Sequence, residues 1–290
     1  MKPLINWSEL QSIASPPPPP EGKAGKPRGN NWDASADMYN QMAGMEREYT
    51  YNQINCIPTT PEDTVLDIGC GPGRISVLIA PRVKSVTSID VAEKMMAYCR
   101  SNAQAAGVEN VRVLSLDWTD EEARKTLPKH DIVIASRSVG MQDMLLLNAA
   151  ANKYCALVCW ANADSIPDVL NGLFEGTSGE MRGPDGRKIN RRQDRRLGYN
   201  VFWNMAYDLG FDPNIQIVPD GFTKTFGSRE EAYADLRKLR PIGDEEMPQF
   251  SRNVDKWLTD NPDGTVTFRR ETRTMVLWWQ AKPESELNIF

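Results

Sequence analysis

Three carboxylates stand at or near the ends of three apolar, β-favouring runs. Asp67 lies in Val65-Leu66-Asp67-Ile68, Asp90 follows Val86-Thr87-Ser88-Ile89, and Asp117 follows Val111 to Leu116. The first run stops at a bend with glycines on alternate positions, Gly69-Cys70-Gly71-Pro72-Gly73, and a helical pattern begins with Ile75, Leu78 and Ile79. Glycines at a strand-to-helix bend remove the Cβ atoms that keep a ligand off the backbone, and they permit dihedrals that other residues avoid. The start of the following helix supplies N–H groups without intrahelical partners. Such a set can hold a ligand against the main chain with carboxylates around it.

The spacing separates two kinds of ligand. A dinucleotide fingerprint reads G-x-G-x-x-G; here the pattern is D-x-G-x-G-x-G. A carboxylate two residues before the first glycine suits a ligand carrying positive charge and suits a pyrophosphate poorly. Asp90 lies 23 residues beyond Asp67. At the tip of a neighbouring strand it can accept hydrogen bonds from both hydroxyls of a ribose.

Val65–Gly73, Ile89-Asp90 and Leu116-Asp117-Trp118 together resemble the first three ligand-binding motifs of class I S-adenosylmethionine-dependent methyltransferases. The resemblance covers roughly residues 32 to 160. It implies contact of Asp67, Gly69, Cys70, Gly71 and Gly73 with the methionine part of adenosylmethionine. It further implies Asp90 and Val91 at the ribose, Asp117 and the backbone around Trp118 at the adenine, and adenosylhomocysteine as product. No metal is implied.

The elements that must position these residues alternate between β and α patterns from 58 to 160, as in a parallel sheet. The expected fold is α/β: a doubly wound, seven-stranded, mostly parallel sheet with helical cap insertions. His130–Ser136 reads as the fourth strand, Met141–Asn152 as a helix and Tyr154–Trp160 as the fifth strand. Asn214–Val218 reads as the sixth strand. Met275–Trp279, within a β-rich run from Thr274 to Gln280, reads as an antiparallel seventh. Ligands in such sheets lie beyond the carboxyl ends of the strands. Ser136, Arg137, Trp160 and Asn162 are therefore expected beside the methyl group, with Ser136 also counted among the cofactor contacts.

Residues 1–31 hold five successive prolines, Pro16 to Pro20, and a glycine- and lysine-rich stretch, and are expected to be a flexible tail. Residues 32–290 then form the methyltransferase domain, with a lid helix at 32–56 and cap insertions at 161–195 and 220–262. The W-D-x-x-A-x-x-Y pattern at Trp32 to Tyr39 is similar to the lid segment of methyltransferases that act on small molecules. Tyr39, Tyr49 and Arg137 are the candidates for acting on the acceptor. Arg137 could grip a carboxylate or phosphate as a fork, or be a structural ion pair. His130, the single histidine, precedes its strand and is expected at the far end of the sheet.

The chain of 290 residues carries net charge −5, which argues against a broad nucleic-acid footprint but leaves room for a local patch. Arg187-Lys188, Arg191-Arg192 and Arg195-Arg196 form one. The fourth-strand region lacks the N-P-P-Y, D-P-P-Y and P-C signatures of base-methylating enzymes. The five cysteines fall in no metal-ligand spacing and read as buried free thiols. No basic-then-apolar leader and no apolar run of about 18 residues are present, so a cytoplasmic protein without membrane contact, monomeric or homodimeric, is expected. The favoured function is methyl transfer to an N, O or S atom of a small, possibly anionic molecule. The alternatives are an RNA or protein methyltransferase using the 187–196 cluster, and a non-catalytic adenosylmethionine-binding module.

Overall fold

The computed structural model describes residues 5–7, 9–10, 32–181 and 197–288. The proline run and the 187–196 basic cluster lie outside these described residues. Strands β1 (Thr64–Ile68), β2 (Ser85–Asp90), β3 (Val111–Ser115), β4 (His130–Ser136) and β5 (Ala151–Trp160) are parallel, in the order β3-β2-β1-β4-β5. Their crossovers contain α2 (Arg74–Ile79), α3 (Glu93–Ala105), α4 (Glu121–Lys125) and α5 (Met144–Ala150). The strand order reverses between β1 and β4, and a doubly wound sheet opens a crevice at that point. One face buries Leu66, Ile68, Val133 and Leu157, the other Val65, Ile132, Ile134 and Val158. Burial on both faces is why these strands read as continuous apolar runs.

Among the described residues the sheet has eight strands, where seven were expected, and two are longer than the sequence suggested. β8 (Val266–Gln280) joins the two β-rich runs at 265–270 and 274–280 into one strand, antiparallel to β5. β6 (Asn214–Phe226) pairs with β8 along its whole length, and the extra β7 (Leu258–Asp260) pairs with the outer end of β8. Pro219 and Gly221 look like breakers in the sequence. β6 is an edge strand, however, and proline is tolerated there because one side of the strand needs no donor. The helix expected from Met141 to Asn152 is shorter. The Asp143 side chain caps α5 by accepting from Leu146 N at 3.0 Å, and β5 starts at Ala151.

The outer halves of β6 and β8 leave the main sheet and carry a second core. There α6 (Ile166–Leu173), α8 (Arg229–Leu236) and α9 (Met247–Asp255) pack around Phe222, Phe226, Phe250 and Phe268. Near the opposite end of the chain, the Trp7 indole donates to the Asp208 carboxylate on α7 (Tyr199–Asp208). That part of the N-terminal segment is docked.

α1 (Ala36–Ile54) ties these parts together. Ala36 packs with Ala92 and Met95, Met42 and Met45 enter the cap core, and Ile54 enters the core beneath the sheet. Between them runs a buried charge network. Arg137, at the tip of β4, donates from Nη1 to Glu46 Oε1 at 2.6 Å and from Nη2 to Asp220 Oδ2 at 2.7 Å and Thr274 Oγ1 at 3.0 Å. Its guanidinium stacks over Trp160, 3.2 Å from the ring centre. Arg74 donates to Gln53 Oε1 and Ser136 Oγ, both at 2.6 Å, and its Nε lies 3.7 Å from Glu46 Oε2. Glu46 and Asp220 are each 1% exposed. Burial pushes the Glu46 carboxyl above its ordinary range, against the opposing pull of Arg137 and then Arg74.

Removing one partner of a buried pair leaves uncompensated charge and costs about 3–5 kcal/mol. Arg137→Ala should lower the unfolding free energy by that amount in urea titrations followed by circular dichroism. A loss below about 1 kcal/mol, the range of surface pairs, would mean that apolar contacts alone hold α1.

Candidate functional site

A cavity of about 520 Å³ opens at the C-terminal ends of β1 to β4. Asp67, Gly69, Cys70 and Gly71 line it from the end of β1, Ile89, Asp90 and Val91 from β2, and Leu116, Asp117 and Trp118 from β3. Ser136, Arg137, Ser138 and Val139 close it at β4, and Tyr39, Ala43 and Glu46 of α1 cover it.

The glycine bend is shaped by three glycines with positive φ: +69° at Gly69, +54° at Gly71 and +86° at Gly73. Their surroundings differ. A Cβ on Gly69 would meet Ser138 Cβ at 2.6 Å, and one on Gly73 would meet Cys99 Sγ at 2.8 Å. A Cβ on Gly71 would have only Met95 Sδ near it, at 4.0 Å. Gly69 and Gly73 are therefore glycines for packing, whereas Gly71 keeps space open on the cavity side. Gly73 itself is not on the cavity wall, a departure from the sequence-based expectation: it is the N-cap of α2 and lets α3 approach.

The Asp90 carboxylate fixes this bend. Oδ2 accepts from Gly71 N at 2.9 Å, and Oδ1 from Val91 N at 2.8 Å and Ala92 N at 2.9 Å. A carboxylate offers about four acceptor positions, so room remains for a further donor. Asp117 Oδ1 accepts from Thr119 N at 2.8 Å and Thr119 Oγ1 at 2.7 Å, which turns the chain after β3. Trp118 is buried, with Arg124 over its ring at 5.7 Å.

Asp67 is 1% exposed. Its Oδ2 accepts from Ser76 Oγ, which in turn accepts from Ser88 Oγ at 2.8 Å. Its Oδ1 has no hydrogen-bond partner among the described residues. Burial, only partly offset by the Ser76 hydrogen bond and Arg74, raises this carboxyl to about 6. The Cys70 thiol is pushed well up, first by its hydrogen bond with Cys99 and then by burial, which disfavours the nucleophilic thiolate.

Among the acceptor candidates, Tyr39 and Arg137 line the cavity and Tyr49 does not. Tyr39, Ala43 and Glu46 share one stripe of α1 at i, i+4 and i+7. Tyr49 lies about 80° round the helix from Tyr39 at 100° per residue. Its ring faces Gly221 of β6, where a Cβ would come within 3.1 Å of it. The Arg137 fork is occupied by Glu46 and Asp220, the ion-pair alternative of the two readings offered for it. Trp160 lies beneath Arg137 and against Phe222, and neither it nor Asn162 reaches the cavity. His130 is buried at the start of β4, bonded to Thr87 Oγ1 at 2.9 Å, far from the strand tips. Sequence reasoning missed Glu46, Arg74, Ser138, Gln142 and Ile166 on the wall. Only Arg74, directly after Gly73, carried a positional signal.

Residues 59–171 match the family model described as a methyltransferase domain. That stretch of the chain carries a methyltransferase domain. An uncharacterized protein of Haemophilus influenzae is 29% identical over 210 residues, 71% of this chain and 71% of that one. A probable cobalt-precorrin-6B C(15)-methyltransferase (decarboxylating) of Methanococcus maripaludis is 47% identical over 60 residues, 21% of this chain and 33% of that one. A 23S rRNA (uracil(1939)-C(5))-methyltransferase of Photobacterium angustum is 34% identical over 83 residues, 26% of this chain and 38% of that one. The chain thus spans about a third of the length of the last two relatives.

The wall residues fit adenosylmethionine. Asp67 Oδ1 is an unused buried acceptor for an ammonium group, Gly71 leaves the turn open, and Asp90 retains acceptor capacity for a ribose hydroxyl. Among the described residues no cluster of His, Cys, Asp and Glu could hold a metal ion, and no helix is long and apolar enough to cross a membrane.

The glycines give a paired test. Gly71→Val should abolish adenosylhomocysteine binding in calorimetry, because its side chain enters the cavity. Gly73→Ala should mainly lower the melting temperature, because its methyl group strikes Cys99. Normal binding by Gly71→Val would defeat the open-turn argument.

Proposed function

We propose that the protein transfers the methyl group of adenosylmethionine to an N, O or S nucleophile of a small molecule held under α1. The observation that carries this reading is the covered cavity: about 520 Å³, walled by three strand-tip carboxylates and roofed by Tyr39, Ala43 and Glu46. Its volume falls within the ~300–1,000 Å³ of small-molecule sites. In this reading Asp67 takes the ammonium group and Asp90 the ribose. Asp117 and the backbone around Trp118 take the adenine, between the apolar side chains of Ile89, Leu116 and Val139. Adenosylmethionine supplies an electrophilic methyl group on a sulfonium. The chain supplies orientation and exclusion of water, with Trp32 and Tyr39 in edge contact at the cavity rim.

The acceptor end favours an uncharged molecule over an anionic one. Both guanidiniums there are already matched by Glu46 and Asp220. The hydrogen-bonding groups on that wall are Tyr39, Ser136 and Gln142. The elevated Cys70 thiol gives no support to attack through a cysteine.

Asp90→Ala should weaken adenosylhomocysteine binding by about 1–3 kcal/mol, the cost of leaving buried hydroxyls without an acceptor. Unchanged affinity would remove Asp90 from the ribose. Incubation with adenosylmethionine and fractionated cell metabolites should release adenosylhomocysteine. Persistent lack of turnover with intact cofactor binding would instead support a non-catalytic binding module.

A further inference from the structure

Asp67 is a buried carboxyl of the cavity wall, with one oxygen bonded to Ser76 and the other without a hydrogen-bond partner among the described residues. Its surroundings can be enumerated. On its own turn it meets the Cys70 thiol, and from α2 it meets Ser76 and the Arg74 guanidinium. Asp90 approaches from β2. Its register partners are Ser88 on β2 and the apolar Ile134 on β4. Glu46, Arg137 and Asp117 stand elsewhere on the same cavity wall. Arg74, the nearby cation, is already directed to Glu46, Gln53 and Ser136. An ionised carboxylate in this setting lacks both hydration and a dedicated counter-charge, and burial favours the neutral acid.

We propose that in mildly acidic solution Asp67 holds a proton in the ligand-free protein and exchanges it for the ammonium group of the cofactor, so that cofactor binding there releases a proton into solvent. This rests on the cofactor assignment made above. The balance is simple. The O–H bond of Asp67 breaks, the proton leaves to water or buffer, and a charge-assisted contact between carboxylate and ammonium replaces it. No oxidant, reductant or second reactant is required. The Ser88–Ser76 chain donates toward Oδ2 in both states, which leaves Oδ1 as the atom that carries the proton and then meets the ammonium.

The sign follows from linkage. The ionised acid is the form that binds an ammonium ligand, so its folded-state titration at about 6 falls when the ligand is bound. Above that pH the acid is already ionised and affinity is flat. Below it, each pH unit costs roughly tenfold in affinity. A ligand with the same nucleoside and sulfur but no amino-acid part has nothing to exchange.

The test is calorimetry on the full chain, titrating adenosylhomocysteine and 5′-methylthioadenosine at pH 5 and pH 7.5 in buffers of different ionisation enthalpy. Adenosylhomocysteine should bind roughly tenfold more weakly at pH 5 than at pH 7.5 and release about one proton at the lower pH. Methylthioadenosine should show neither effect. Asp67→Asn, which mimics the neutral acid in shape, should erase the pH dependence and weaken adenosylhomocysteine at pH 7.5. Should that variant not fold, the two-ligand comparison on the unaltered protein still decides. Equal affinity at both pH values with no proton release overturns the proposal while leaving the cofactor assignment intact, as does an identical pH dependence for both ligands. No binding of adenosylhomocysteine at either pH defeats the cofactor assignment, and this proposal with it.

Discussion

Arg137 reaches Glu46 of α1 and Asp220 of β6 with one planar fork, and through it three distant pieces of chain meet beside the cavity. Arg74 makes a second junction, from the start of α2 to the last turns of α1 and the tip of β4. Two cations and two carboxylates balance, so the cluster is neutral although its members are nearly inaccessible. Forming it costs desolvation that mutual attraction offsets only where geometry is good. Here most of the distances are short, further donors find Thr274, Thr50, Gln53 and Ser136, and the Trp160 ring lies under the Arg137 guanidinium, although Arg137 Nε has no hydrogen-bond partner among the described residues. The backbone yields to this arrangement. Arg137 sits at φ +52°, a left-handed conformation that costs a non-glycine residue roughly 1–2 kcal/mol.

A polar tether suits α1 because of where the helix runs. It crosses from the start of α3, past the cap, to the core beneath the sheet, and meets a different partner along each turn. No single apolar stripe could serve all three. Its first turns are tied to α3 through exposed pairs, Asp37 with Lys94 and Tyr98, which are worth little individually. The Glu46 turn is where the strong contacts lie, and that turn covers the acceptor end of the cavity. Gly221 makes the same approach possible from β6, since any side chain there would collide with Tyr49 and the Arg270 carbonyl.

What could be read from the sequence was local. β1, its glycine bend and α2 were legible because strand, turn and helix signals follow one another within about fifteen residues, and so were the carboxylates at the next two strand tips. The charge network was not, because its members sit at 46, 74, 137 and 220 and none follows from its neighbours. The lengths of β6 and β8 were hidden by Pro219, Gly221 and the polar Glu271-Thr272-Arg273. In the fold these face each other across one ladder, at the waist between the two cores. The three glycines of the bend look equivalent in sequence. Only the packing of Ser138 and Cys99 shows that two of them answer to the protein and one to the cavity.

The two ends of the cavity thus differ in electrostatics more than in polarity. At one end Asp67, Asp90 and Asp117 line the wall, and the nearby Arg74 is committed elsewhere. A cation there is attracted by on the order of 4 kcal/mol per contact at 4 Å in a medium of intermediate dielectric, before the cost of its desolvation. At the other end charge is present but cancelled within the wall, and an arriving molecule meets fields of short range. On the function proposed above, selection of an acceptor then falls to shape and to the hydrogen-bonding groups of Tyr39, Ser136 and Gln142. The same neutral cluster that fastens α1 engages both of its guanidiniums with carboxylates, so in the proposed reading the residues that close the site also disfavour an anionic acceptor.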